Sequence, residues 1–79
     1  MNEVYVLKKD RLTLNELKNT LEDKLNIYNG WYDCFPKDDL DIVERLLRTD
    51  LKLVINELTI ELMSLKYRLR DIECELKRY

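Results

Sequence analysis

The sequence predicts an all-α protein, a helical hairpin with a short first helix and a long amphipathic second helix that pairs with another chain. Three observations carry that reading. The 79 residues include 16 Leu against one Gly and one Pro, a composition biased toward helix. Leu and Ile recur at heptad spacing from Leu51 to the end of the chain. Between the helical stretches lies NGWYDCFPKDD (29–39), which holds three of the seven aromatics and the only Gly and Pro. Gly and Pro together punctuate a helical chain, so this stretch predicts a turn.

Taken in order, the chain reads as one helical domain. Residues 1–12 form an arm or short extended segment, with a brief alternation at Val4-Tyr5-Val6-Leu7 too short to separate strand from helix. Thr13 and Glu16 have the spacing of a capping box, and Leu12 and Leu17 that of a hydrophobic staple. Helix 1 is therefore predicted over 13–29, with an apolar stripe at Leu14, Leu17, Leu21, Leu25 and Tyr28. Asn29-Gly30 closes it, since Gly accepts the left-handed conformation after a helix C-terminus. An aromatic turn spans 30–37.

Helix 2 is predicted over 38–78. Asp38, Asp39 and Asp41 suit the positive end of a helix, and Pro36 lies upstream, where it removes no helical hydrogen bond. From Leu51 onward the heptad is a coiled-coil signal. Extended backwards, that register would place Asp41, Glu44 and Arg48 in the seam, whereas Leu40, Val43, Leu47 and Val54 form a rotated apolar set. A continuous helix with a drifting buried face accounts for this; a break at Thr49-Asp50, giving three helices, is the alternative. Continuity is favoured because neither Gly nor Pro interrupts the stretch.

A second stripe, Leu46, Leu53, Ile60, Tyr67 and Cys74, runs along the opposite face with Met63 beside it. A helix apolar on two faces needs cover on both. A first helix of ~16 residues reaches roughly 24 Å along a second helix of roughly 60 Å, which leaves most of the seam bare. The expected oligomer interface is therefore Leu51, Ile55, Leu58, Leu62, Leu65, Leu69, Ile72 and Leu76, the partner a second copy in a homodimer, with another protein as a further partner.

Chemistry narrows the function. The chain has no His, the commonest general base, and no Gly-rich phosphate loop. The two Cys are forty residues apart, outside any C-x-x-C spacing for a metal, and read as reduced thiols in a cytoplasmic protein. No enzymatic role, cofactor or metal is expected. Fourteen basic against sixteen acidic residues, net −2, give no general field for nucleic acid or an anionic membrane. No apolar run approaches the ~18 residues of a membrane span.

A small protein–protein interaction module is the leading expectation, with Trp31, Tyr32 and Phe35 as candidate partner contacts, because Trp and Tyr dominate such sites. Trp31 and Phe35 also suit a structural plug at the end of the hairpin, which is the default reading of that pair. One alternative is a dimeric nucleic-acid-binding regulator using Arg45, Arg48 and Lys52, which share a helix face; a structural assembly component is another. The chain contains neither Ala nor Gln. Because Ala is the best helix former, its absence points to an AT-biased genome, such as that of a low-GC bacterium or one of its phages. For a phage or mobile-element protein the expected role is to bind and inhibit or regulate a host protein.

Overall fold

The computed structural model describes residues 2–36 and 38–79. The chain is an antiparallel pair of helices, α1 (Glu3–Asp33) and α2 (Ile42–Leu76), packed along their lengths. Met1 of the expected arm and Lys37 of the expected turn lie outside the described residues. The second helix is continuous through Thr49-Asp50.

The first helix is nearly twice as long as the sequence suggests. It begins at the Asn2 cap, whose side-chain oxygen accepts from the Val4 amide at 2.9 Å, so residues 3–12 are helix and not an arm. Thr13 is an interior residue: its hydroxyl donates back to the Lys9 carbonyl at 3.1 Å and caps nothing. The reason lies in the buried face. Val4, Leu7, Arg11, Leu14, Lys18, Leu21, Leu25, Tyr28, Tyr32 and Phe35 are all half-buried or buried, at unbroken intervals of three and four. Two cations interrupt this heptad and hide it. Their aliphatic stems cover apolar surface while the charge reaches solvent. Leu17, expected in the stripe, stands outside it and is exposed; Lys18 takes the seam position.

Helix α1 also runs through Gly30. No glycine has a positive φ, and the helix continues to Asp33, where the Cys34 amide donates to the Gly30 and Trp31 carbonyls. The left-handed residue is Asp39, with φ 57°, a conformation that Asp tolerates better than most residues. It turns the chain before α2, so the helix does not start at 38. Asp41 is the cap, its carboxylate accepting from the Glu44 amide at 2.7 Å. Pro36 and this left-handed step separate the helices.

All eight predicted seam residues of α2, Leu51 to Leu76, face α1 and are buried or half-buried. The register persists upstream: Glu44 and Arg48 are half-buried, while Val43, Leu47 and Val54 are exposed. The buried face therefore does not drift. At 31 residues α1 is long enough, about 46 Å at 1.5 Å per residue, to line α2 to its end, where the Tyr79 hydroxyl donates to the Glu3 carboxylate. That hydrogen bond, with lesser contributions from burial and nearby carboxylates, holds the Tyr79 phenol above its ordinary pKa. A first helix of this length covers the seam within the chain, where a short one would have left it bare.

The core is thin. Leu25, Ile55 and Leu62 form a buried cluster flanked by Leu21, Tyr28, Tyr32, Leu51 and Leu58; Leu69 and Ile72 are buried further toward the open end. The rod measures 59 × 16 × 14 Å with a radius of gyration of 17.9 Å, where a compact chain of this length has about 12 Å. Its accessible surface is 6506 Å², about 1,400 Å² above that expected for a compact protein of this mass.

Gly30 offers a direct test. Nothing lies within 4 Å of a Cβ built there and its φ is ordinary, so Gly30→Ala should stabilise the hairpin by about 0.5–1 kcal/mol in urea unfolding. A glycine serving as a left-handed cap would give the opposite sign. Asp41→Ala should cost about 1 kcal/mol through loss of the cap.

Candidate interaction surface

With the inner seam satisfied within the chain, the apolar surface that stays open lies on the far side of α2. Ile42, Leu46, Leu53, Ile60, Met63 and Tyr67 are each at least half exposed, Ile42 at 76% and Ile60 at 64%, and Cys74 continues the line. They recur at intervals that sum to heptads, so they share one face for about 48 Å of helix. Val43, also exposed, widens that face toward the turn, while Leu47 and Val54 are exposed along the flank of the inner seam. Thr49, Asn56 and Arg70 complete the spacing and are exposed as well. Sixteen large apolar side chains are exposed among the described residues, about as many as are buried or half-buried, so roughly half of the hydrophobic side chains face outward.

Midway along the rod, Leu17 of α1 and Ile60, Ser64 and Arg68 of α2 line an open groove of about 490 Å³ with Leu21, Glu61 and Leu65. The groove adjoins the outer stripe at Ile60. Leu17, misplaced in the core by its spacing, supplies one wall of it.

The aromatic residues are divided between two roles. Tyr32 turns into the seam, half-buried, beneath Arg48 and Lys52, whose cationic groups lie 5.0 and 5.4 Å from the ring centroid. Such contacts contribute roughly 0.5–2 kcal/mol each, and this one explains how Arg48 is accommodated in the seam. Trp31 points outward at 57% exposure, its ring 5.2 Å from that of Tyr28 at a 45° tilt. Trp31, Cys34, Phe35 and Pro36 line a shallow depression at the closed end. Phe35 is half-buried there. The three residues are thus on the last turns of α1 and its exit rather than in a free loop.

Of the three cations singled out for nucleic acid, Arg48 and Lys52 therefore have a packing role on Tyr32, and Arg45 stands exposed nearby. Cys34 and Cys74 are both free and exposed, near opposite ends of the rod. Among the described residues no cluster of His, Cys, Asp or Glu has a metal-binding arrangement, and no helix is long and apolar enough to cross a membrane. Comparison with protein-family models, with curated proteins and with solved structures gives no match.

The division of the aromatics predicts unequal costs. Tyr32→Ala, which removes seam packing and the two cation contacts, should lower stability by roughly 2–3 kcal/mol. Trp31→Ala should cost only about 1 kcal/mol, the worth of one aromatic pair on the surface. Urea unfolding followed by helical circular dichroism measures both without relying on Trp31 fluorescence.

Proposed function

We propose that this protein is a small non-enzymatic protein-association module whose binding surface is the outer face of α2. One observation carries the reading. After the hairpin has closed on itself, a stripe from Ile42 to Cys74 remains exposed along the whole of its longer helix. Monomeric proteins seldom leave apolar patches of more than a few hundred Å² in water, and larger ones mark association sites. A heptad-spaced stripe is moreover the shape that receives another helix. Trp31, exposed at the closed end, is a second anchor of the kind that dominates binding energy.

A module of this sort works by occlusion or by bringing chains together, since its action requires only complementary surface. The composition that suggests a phage or other mobile element places a host protein among its targets.

Two carboxylates in the stripe provide the test. Leu53→Glu with Ile60→Glu should leave the helical spectrum intact, because both side chains are more than half exposed and neither belongs to the inner seam. It should also abolish retention of bound proteins when tagged protein is used for affinity capture from host extract to which untagged copies of the chain are added. Retention of the same set by the double variant would remove the outer face as the binding surface.

A further inference from the structure

We infer that the partner for which the outer face of α2 is built is a second copy of this chain, docked parallel and in register. The inference rests on the proposed association through that face and names its occupant. Charge decides it. Along one flank of the outer stripe run Arg45, Lys52 and Lys66; along the other run Asp50, Glu57 and Asp71, all exposed. In a parallel in-register pair of helices, a residue on one flank meets the residue five positions later on the partner's other flank, where ion pairs select partner and orientation. This sets Arg45 against Asp50 of the second copy, Lys52 against Glu57 and Lys66 against Asp71. The intervening pair is Thr59 with Ser64, uncharged on both sides. Beyond it Glu73 meets Arg78, with the signs exchanged but still opposite.

All four charged flanking pairs are thus complementary, and each occurs twice about the two-fold axis. Within one chain, residues five apart do not face each other on a helix, so the pairing is not an intrahelical one, although Lys52 also lies over the Tyr32 ring of its own chain. Antiparallel docking sets each flank against its own kind and brings Asp50, Glu57 and Asp71 against one another, which like-charge repulsion disfavours. Thr49, Asn56 and Arg70 lie in the stripe, where the parallel register sets each opposite its own copy. The hydroxyls and amides can satisfy one another, and the Arg70 side chain is long enough to carry its charge out to solvent. The assembly is a row of four helices, with α1 of each copy on the outside.

The experiment combines charge exchange with a cross-link, using the full chain. In sedimentation equilibrium at micromolar concentration the protein should run at about twice its 9.7 kDa monomer mass. Lys66→Glu and Asp71→Lys should each weaken the dimer about tenfold, as two symmetry-related attractions become repulsions. The double variant should return to near the original affinity, and a mixture of the two single variants should form the heterodimer in preference to either homodimer. In Cys34→Ser protein, Cys74 meets its own copy across the axis, so oxidation by diamide should yield a disulfide-linked dimer; an antiparallel pair would hold these thiols tens of Å apart. A monomer at all these concentrations, or a dimer indifferent to the charge exchange and without the cross-link, would overturn the inference. If that monomer still captures host proteins through Leu53 and Ile60, the second-copy assignment falls while the outer face stands as an association surface.

Discussion

The packing of α1 along the inner stripe of α2 is the interaction on which everything else in this molecule depends. It consumes all eight seam residues from Leu51 to Leu76, fixes the antiparallel arrangement from Tyr32 beneath Arg48 to Tyr79 on Glu3, and turns every remaining apolar residue of α2 outward. Among the described residues there is no third element to cover a second face. The exposed stripe is therefore a direct result of a closed inner seam combined with a helix that is hydrophobic on opposite sides.

Much of this was legible in the sequence. The all-α hairpin, the turn near Gly30 and Pro36, the heptad of α2 and its second stripe all follow from residue spacing. What the sequence concealed was α1. Its seam carries Arg11 and Lys18, which look like interruptions until their stems are seen against the partner helix. Thr13 and Glu16 match a capping box as well as Asp41 and Glu44 do, yet only the latter caps a helix. The difference is what precedes them: Val4, Leu7 and Arg11 extend the seam through Thr13, whereas Pro36 and left-handed Asp39 interrupt the chain before Asp41. Tertiary burial overrode the local signal in the first case and agreed with it in the second.

The same effect explains the upstream register of α2. Glu44 and Arg48 read as misfits in an apolar seam, which made Val43, Leu47 and Val54 look like the buried set. Opposite Arg48 stands the ring of Tyr32, whose face accepts a cation where an aliphatic residue would offer no such contact. One aromatic residue on α1 thus allows the heptad to continue and leaves three apolar side chains exposed. For the interaction surface, the flanking charges were visible from the start as solvated faces. Their pairing acquires meaning only once the inner seam is known to be occupied.

The placement of the core has a consequence for motion. The buried cluster of Leu25, Ile55 and Leu62 lies midway along the rod, while the far end, beyond Leu69 and Ile72, is tied by the exposed Tyr79–Glu3 hydrogen bond. Closing the turn brings residues near Tyr32 and Arg48 together over a short loop, whereas joining the termini closes nearly the whole chain and costs more entropy. The hairpin is therefore a zipper with its slider at the closed end. Opening begins at the termini and travels inward, so backbone amides near Leu7 and Leu76 exchange with solvent through partial separations that leave those near Leu25 protected.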